Sequence, residues 1–264
     1  MSNFFEVSTF RQHLSTQWLG QDIRYFETLP STNTYSKKVK NNEVNHGTLV
    51  ITDDQTAGRG QYDRSWQGEK GQNLTFSIIL RPQNREGFHA LTLSCALVLV
   101  ELLNSIVNHN CACIKWPNDV LLNEKKVAGL LTETVYLGNS LARLIIGIGF
   151  NVNQQNFRKD LVSTATSVRL EKGEPVSREI LLADLLSRIE YKYRLWQQKQ
   201  TKLLRRINRN IQGYGRWVTL QVDGKLLSDH YKLIGINETG RLLVLNKEGG
   251  LQSYAYEQIR IITD

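Results

Sequence analysis

The chain is poor in the residues that mark several protein classes. Its 264 residues include 3 cysteines and 4 prolines, and they contain no low-complexity tract or internal repeat. Because the cysteine count is odd and no secretory signal opens the sequence, a disulfide framework is not expected, and we expect a cytoplasmic protein. The most apolar segment, residues 90–103, is interrupted by polar side chains. It is shorter than the roughly 20 residues of a membrane-spanning helix, so we expect a buried helix.

Two nucleotide-binding motifs are also missing. The run Gly147-Ile148-Gly149 fails as a dinucleotide fingerprint, because Val152 stands where the third glycine is required. No Gly-Lys-Ser or Gly-Lys-Thr phosphate loop occurs. A metal centre is not indicated either, since His109, Cys111 and Cys113 have no second cluster to complete four ligands.

The remaining composition is that of an ordinary globular protein. Hydrophobic residues make up 41% and charged residues 22% of the chain, and the length fits one large domain plus a small one. The net charge of +8 indicates an anionic partner: a nucleic acid, an anionic cofactor or an acidic protein. In the densest basic run, residues 202–209, Leu203, Leu204 and Ile207 fit one helix face, so its charges are expected on a solvated outer face.

Hydrophobic periodicity predicts an α+β fold with a mixed β-sheet covered by helices. The predicted helices are residues 8–19, a polar segment up to 42 capped by Ser31 or Thr32, residues 88–107, residues 180–195 and a basic stretch to about 212. The predicted strands of this region are residues 23–27, 48–52, 74–80, 113–116, 119–123, 126–136 and 141–152.

The composition changes at Gly213, after which short strands alternate with glycine turns. The predicted strands are residues 217–222, 231–236, 242–245, 252–256 and 259–262. About fifty residues of this kind predict a small β-barrel. We therefore predict a large domain over residues 1–212 and a small domain over residues 213–264.

The loop at residues 55–66, Gln-Thr-Ala-Gly-Arg-Gly-Gln-Tyr-Asp-Arg-Ser-Trp, lies between two predicted strands. The glycines on either side of Arg59 allow positive φ and a close approach of the backbone to a ligand. Arg59 and Arg64 supply permanently charged donors for carboxylate or phosphate oxygens, and Trp66 adds a flat apolar face. This combination predicts a loop that closes over a small anionic ligand, and a flexible surface turn is the alternative.

Three other stretches concentrate unusual residues. Ser31-Thr32-Asn33 places three hydrogen-bonding side chains in a row, and helix capping accounts for one of them. Lys126 precedes the small Gly129 on a predicted strand, so its amine either leans over a ligand or is an ordinary surface lysine. Gly147 and Gly149 alternate on one strand, which leaves room for a bulky ligand or allows close strand packing.

Together these stretches resemble motifs of the biotin–protein ligases. In chain order the motifs are Ser31-Thr32-Asn33, residues 55–61 (Gln-Thr-Ala-Gly-Arg-Gly-Gln), Lys115-Trp116-Pro117-Asn118-Asp119, Lys126-Val127-Ala128-Gly129 and residues 147–153 (Gly-Ile-Gly-Phe-Asn-Val-Asn). Their order and spacing are similar to the family's over about residues 22–262, and residues 235–240 resemble a turn of its C-terminal SH3-like domain. The resemblance implies a class II synthetase-like catalytic domain of the biotin–lipoyl ligase type, followed by an SH3-like barrel.

The resemblance implies a two-step reaction. ATP and biotin form biotinyl-5′-AMP and pyrophosphate, and a lysine of an acceptor domain then attacks the mixed anhydride and releases AMP. Lys126 and Arg59 are the implied catalytic residues, because two anions that meet in the first step need cations, including Mg²⁺, beside them. The implied partner is a biotin carboxyl carrier protein or a carboxylase acceptor domain, and neither DNA nor a membrane is expected.

The resemblance also assigns candidate binding residues. The biotin-binding set is Ser31, Thr32, Asn33, Gln55, Gly58, Arg59, Gly60, Gln61, Lys126, Gly129, Gly147 and Gly149. The ATP-binding set is Arg64, Trp66, Asn118, Asp119 and Asn151. Polar groups that converge in a largely apolar pocket suit the ureido ring of biotin. The loop is expected to close on the adenylate and exclude water.

This chain departs from the family pattern at three places. Gln61 stands where some members have arginine, and Asp63 stands where many have a third loop glycine, so retention of the adenylate is expected to differ. Residues 257–259, Glu-Gln-Ile, replace the usual Gly-Glu-Val. About twenty residues precede Ile23, too few for the DNA-binding domain of some members, so we expect the short form without repressor function.

Two alternative functions stay open from the sequence. A lipoate or octanoate ligase or transferase would share the catalytic fold, although the loop and Lys115-Trp116-Pro117-Asn118-Asp119 favour biotin. A basic nucleic-acid-binding module would need exposed aromatic side chains among cations of the small domain. Tyr254 and Tyr256 are the one close aromatic pair near the C-terminus, with few cations beside them.

Overall fold

A computed structural model describes residues 4–61, 64–83, 86–256 and 259–262. The helices are α1 (Val7–His13), α2 (Thr32–Lys38), α3 (Phe88–Val107), α4 (Val168–Lys172), α5 (Arg178–Gln197) and α6 (Thr201–Arg209), with a 3₁₀ turn at Asn41–Glu43. The strands are β1 (Ile23–Leu29), β2 (Thr48–Gln55), β3 (Leu74–Leu80), β4 (Ala112–Lys115), β5 (Asp119–Leu122), β6 (Lys125–Leu137), β7 (Ser140–Phe150), β8 (Trp217–Val222), β9 (Lys225–Ile236), β10 (Leu242–Leu245), β11 (Leu251–Tyr254) and β12 (Ile259–Ile262).

The first seven strands form one sheet in the order β1-β2-β3-β7-β6-β5-β4. β1 and β2 are parallel, since α2 carries the chain across between them, and the other described pairings of this sheet are antiparallel. The predicted mixed sheet is therefore confirmed.

The two faces of this sheet have different coverings. Phe76, Ile78, Ile146 and Ile148 belong to the main core cluster, which also contains most of α3. The residues between them along β3 and β7 point to the opposite face, because successive strand side chains alternate. On that face α2 packs on β2, β3 and β7 and covers a small second cluster around Val50.

Helix α3 is long and apolar enough to cross a membrane by length and composition alone. Most of its residues are nevertheless buried inside the protein, from Ala90 to Leu103, against the sheet and α5. It is therefore a core helix, as the sequence predicted, and its bounds match the predicted residues 88–107.

Strands β8 to β12 form a second, antiparallel sheet in the order β11-β10-β9-β8-β12. This sheet has the barrel-like strand set that was predicted, but pairing within the described residues does not join its edge strands β11 and β12. It packs on the first unit where Gly240 contacts His89 and where Asn208 of α6 binds both N–H and C=O of Ile236, at 2.9 and 3.3 Å. The predicted boundary near residue 213 falls between the two sheets and stays a prediction; the predicted departure at residues 257–258 lies outside the described residues.

Candidate active site

The candidate site lies on the face of the larger sheet opposite α3. Gly149 of β7 and Gly129 of β6 are register partners there, and Thr75 and Asp119 continue the same row on β3 and β5. Because the two neighbouring strands both have glycine at this point, no side chain covers this part of the face. This row of four residues is termed the site floor.

Lys126 reaches the site floor because β6 contains a β-bulge. The register of β5 against β6 shifts at this point, so Val127 is an extra residue on β6. In a regular strand Lys126 and Gly129 would point to opposite faces, and the bulge brings them to the same one. The Lys126 ammonium then forms a 2.7 Å ion pair with Asp119, and a methyl group on Gly129 would lie 3.1 Å from Lys126 Nζ.

A short segment after β7 holds Lys126 and Asn151 together. The N–H of Lys126 donates to the carbonyl of Thr164 at 2.7 Å, and its carbonyl accepts from the N–H of Thr166 at 2.9 Å. The carbonyl of Thr166 in turn accepts from Asn151 Nδ2 at 3.0 Å. Asn151 Oδ1 is buried and has no partner within the described part of the chain, so a ligand donor is what would satisfy it. Asn118 directly precedes β5, and its Nδ2 donates to the carbonyl of Leu130 on β6 at 2.8 Å.

The start of α2 packs against the end of β2. Ser31 caps the helix by accepting from the N–H of Thr34 at 3.3 Å, so the predicted cap is confirmed. The N–H and hydroxyl of Thr32 donate to Gln55 Oε1 at 2.8 and 3.2 Å. The structure therefore brings Ser31, Thr32 and Gln55 into one polar group at the start of α2.

Asn33 extends this polar group, and its side-chain amide lies directly on Gly147 of β7. Ser77 Oγ lies 2.7 Å from Thr32 Oγ1 and 2.6 Å from Asn33 Oδ1. A methyl group on Gly147 would overlap Asn33 Oδ1, so the glycine is required for this close approach. The amide nitrogen of Asn33 donates to the carbonyl of Leu131 at 3.2 Å.

Glu133 of β6 is a site residue that the sequence analysis missed. Its carboxylate accepts from Asn33 Nδ2 at 3.0 Å, from Lys37 Nζ at 2.9 Å and from Arg59 Nη1 at 3.2 Å. Burial works to raise the pKa of Glu133, but the hydrogen bonds from Lys37 and Asn33 and the charge of Arg59 outweigh it and lower the pKa. No local sequence signal marks Glu133, because its partners are 74 to 100 residues away.

The described part of the loop at residues 55–66 folds back on itself. The N–H of Trp66 donates to the carbonyl of Gly58 at 3.0 Å, and the N–H of Gly60 donates to the carbonyl of Arg64 at 2.6 Å. Neither glycine has the positive φ that the sequence suggested. Gly58 is needed for space instead, since a methyl group there would overlap the Trp66 carbonyl oxygen. Asp63, a predicted departure from the family pattern, lies outside the described residues.

The indole ring of Trp66 lies directly on Gly149 of the site floor, where a methyl group would overlap it. The ammonium of Lys126 is 5.8 Å from the centre of this ring. The indole Nε1 is buried without a hydrogen-bond partner among the described residues. Trp66 thus joins the loop to the site floor, whereas Arg64 is exposed and Gln61 is partly exposed on the loop's outer part.

A buried ion pair joins the end of β2 to the residue before β3, on either side of the connection that contains this loop. Arg178 at the start of α5 binds Asp53 Oδ1 at 2.6 Å and the carbonyl of Asn73 at 3.2 Å through one nitrogen. Asp53 Oδ2 also accepts from the Tyr25 hydroxyl at 2.6 Å. Burial is the largest cause, and this hydrogen bond the second, of a raised pKa of Tyr25. The sequence signal that was overlooked is Asp53, a carboxylate that directly follows the apolar run of residues 48–52.

The cysteines take no part in this site. Burial in α3 raises the pKa of Cys95 to about 12, which fits its predicted role as a core residue. Burial also raises the pKa of Cys111 and Cys113, and both thiols are free. Within the described ranges, no group of three or more histidine, cysteine or acidic side chains is arranged to hold a metal ion.

The sequence and the fold are similar to characterised proteins. The profile of the Biotin/lipoate A/B protein ligase family matches residues 25–151, from β1 to the end of β7. The "Bifunctional ligase/repressor BirA" of Bacillus subtilis (strain 168) is 34% identical over 253 residues, which cover 94% of this chain and 77% of that protein. The "Biotin--[acetyl-CoA-carboxylase] ligase" of Paracoccus denitrificans is 37% identical over 143 residues, or 52% of this chain and 59% of that protein.

A solved structure extends the similarity to nearly the whole chain. The "Biotin protein ligase from Aquifex aeolicus in complex with biotin and ATP" superposes with a TM-score of 0.79 at 30% sequence identity. The superposition covers 92% of this chain and 100% of that chain, so both sheets have counterparts in it.

Proposed function

The chain belongs to the biotin–protein ligase family, and from this membership we propose how its residues carry out the reaction. The protein activates biotin with ATP to biotinyl-5′-AMP and transfers biotin to a lysine of an acceptor protein. The single observation that carries the residue assignments is the position of Lys126. The bulge at Val127 sets its ammonium over Gly129, between the polar group around Asn33 and the unsatisfied Asn151.

Lys126 acts in the first step, in which the carboxylate of biotin attacks the α-phosphorus of ATP. The carboxylate oxygen forms a bond to phosphorus, and the bond to the pyrophosphate leaving group breaks. Negative charge accumulates where the two anions meet, and an ammonium fixed at that point lowers the barrier. Asp119 holds the Lys126 amine in this place, and Arg59 supplies a second cation from the loop.

The two ends of the intermediate have separate binding groups. Thr32, Asn33 and Gln55 bind the ureido ring, with Gly147 giving access to Asn33 Oδ1. Asn151 Oδ1 accepts from the nucleotide. The remaining members of the proposed sets line the path between these ends: Ser31, Gly58, Gly60, Gln61, Gly129 and Gly149 toward biotin, and Arg64, Trp66, Asn118 and Asp119 toward ATP.

Mg²⁺, when bound with ATP, would offset the charge of the phosphates. Magnesium sites at nucleotides use the phosphate oxygens and one or two carboxylates, and need no dedicated cluster of protein ligands. Asp119 is a carboxylate on the site floor, so it is the group that would hold such an ion. We propose Asp119 as the protein ligand.

In the second step the neutral amine of the acceptor lysine attacks the carbonyl carbon of the adenylate. An amide bond forms, and the bond to AMP breaks. We propose that the acceptor is a biotin carboxyl carrier domain of a carboxylase, because the Paracoccus denitrificans relative is named for acetyl-CoA carboxylase. The net charge of +8 suits an acidic acceptor surface.

ATP–pyrophosphate exchange tests the first step directly. Purified protein with Mg²⁺ should exchange label between pyrophosphate and ATP when biotin is present, and not with lipoate or octanoate. Exchange with lipoate alone would mean that the protein has this fold but activates lipoate instead of biotin. A carboxyl carrier domain and its lysine-to-arginine variant then test transfer, since only the lysine form should accept biotin and release AMP.

A further inference from the structure

Glu133 is a charged side chain that is only 14% exposed on the face that carries the site. Its partners come from two different elements: Asn33 and Lys37 belong to α2, and Arg59 belongs to the loop. Lys37 alone would neutralise the carboxylate. The two additional donors therefore need another explanation than charge compensation, and both come from the proposed biotin-binding set.

The contact with Asn33 fixes which way its amide faces. Glu133 and the carbonyl of Leu131 accept from the nitrogen of this amide, while the oxygen faces Ser77 and Gly147. A carboxylate can only accept hydrogen bonds, so it enforces this orientation. Without Glu133 only the longer contact with the Leu131 carbonyl would hold this orientation, and a turned-over amide, which presents a donor where the pocket presents an acceptor, would be less disfavoured.

The contact with Arg59 anchors the loop to the sheet. One guanidinium nitrogen, Nη1, lies 3.2 and 3.4 Å from the two carboxylate oxygens of Glu133. Among the described residues, only Nη1 of the Arg59 guanidinium has a hydrogen-bond partner, and a guanidinium carries five donors in a rigid fork. Glu133 can therefore hold Arg59 in place while Arg59 binds an anionic ligand.

We propose that Glu133 is a positioning residue that couples the biotin pocket to the loop, by orienting Asn33 with one contact and Arg59 with another. This inference rests on the proposed function. One contact holds Arg59 where it strengthens retention of the adenylate, and the other holds the Asn33 amide where it strengthens biotin binding.

Two substitutions separate the two contacts. Glu133→Gln keeps an oxygen that accepts from Asn33 and removes the charge that faces Arg59. Glu133→Ala removes both contacts. Lys37→Ala is the matched control, because it takes away a Glu133 partner that touches neither the pocket nor the loop. For each protein, calorimetry gives the biotin Kd without ATP, and a chase experiment gives the release rate of preformed biotinyl-5′-AMP.

With Glu133→Gln we expect a biotin Kd within about threefold of wild type and adenylate release faster by about tenfold, the effect of one charge-assisted hydrogen bond. With Glu133→Ala we expect the same faster release and a biotin Kd raised by about tenfold or more. Lys37→Ala should change neither value by more than about threefold, as for an ordinary surface ion pair.

Equal effects of Lys37→Ala and Glu133→Gln, or unchanged values in both Glu133 variants, would overturn the inference and leave the proposed function standing. A wild-type protein that binds biotin but forms no adenylate would instead overturn the proposed function. If Glu133→Ala does not fold, Glu133→Gln still decides the loop contact. The pocket contact is then decided by Asn33→Asp, which puts a second carboxylate against Glu133, alone and combined with Glu133→Gln: partial recovery of biotin binding in the double variant supports the contact, and no recovery overturns it.

Discussion

The ammonium of Lys126 lies 2.7 Å from Oδ1 of Asp119 across two strands of the sheet. The side chains of the two residues are 38% and 23% exposed, so the pair is reachable from solvent and contributes little to stability, at most about 1 kcal/mol. Its significance is positional. The carboxylate keeps the amine over Gly129, where the reacting carboxylate and phosphate would meet.

Lys126→Ala should therefore abolish adenylate formation and leave the fold intact. The loss of one electrostatic contact to a transition state typically costs about 100- to 1000-fold in rate. Because Lys126 is the proposed main cation of this step, we expect at least the upper end of that range. The measurement is biotin-dependent ATP–pyrophosphate exchange, with circular dichroism and thermal unfolding to follow the fold.

Lys125→Ala provides the control for this experiment. Lys125 precedes Lys126 on β6 and is exposed, so its removal changes the net charge equally without touching the site. Normal turnover of a folded Lys126→Ala protein would remove Lys126 from its assigned role.

Arg59→Ala should loosen the bound adenylate. Arg59 binds Glu133 of the sheet, and the loop covers the intermediate in the proposed mechanism. Loss of one or two charge-assisted hydrogen bonds predicts release faster by about 10- to 100-fold. The chase of preformed biotinyl-5′-AMP measures this rate, with the exposed Arg205→Ala on α6 as the control. An unchanged release rate would count against a role for Arg59 in retention.

Gly147→Ala should weaken biotin binding before it affects ATP. The new methyl group overlaps Asn33 Oδ1, and such overpacking costs about 1 to 3 kcal/mol, or roughly 5- to 100-fold in affinity. Gly149→Ala is the matched comparison, since its methyl group meets the ring of Trp66 and should weaken ATP binding to the biotin-loaded protein. Calorimetry with biotin and with ATP distinguishes the two variants. Equal losses of biotin affinity in Gly147→Ala and Gly149→Ala would count against the assignment of Asn33 to biotin.

The sequence predicted elements best where the hydrophobic pattern is long and regular. The bounds of β3, α3, β8, β10 and β12 agree with those predicted. The helix predicted at residues 8–19 ends at His13 instead. Its last part is held by tertiary contacts, because the N–H groups of Gln17, Trp18 and Leu19 all donate to the Glu190 carboxylate. The short α4 was not predicted, since five residues carry too little periodicity.

The candidate site divides in a similar way. Motif residues such as Asn33 and Lys126 can be found from the sequence, because the resemblance marks their positions. The bulge at Val127 cannot, since it exists only in the pairing of β5 with β6. Glu133 cannot be found from the sequence either, because the donors that make it a site residue come from distant segments of the chain.

Arg178→Met should destabilise the protein and loosen the loop as well. Arg178 and Asp53 are 6% and 1% exposed, and removal of one member of such a pair leaves a buried charge that costs about 3 to 5 kcal/mol. The matched control is Arg188→Met on the same helix, whose pair with Asp184 is 39% and 44% exposed and should cost less than about 1 kcal/mol. Urea unfolding measures both costs. Because Arg178 also binds the carbonyl of Asn73, the adenylate should leave this variant faster even at temperatures where it is fully folded. Equal unfolding free energies for the two variants would show that the Asp53–Arg178 pair does not stabilise the fold, and an unchanged release rate would show that it does not anchor the loop.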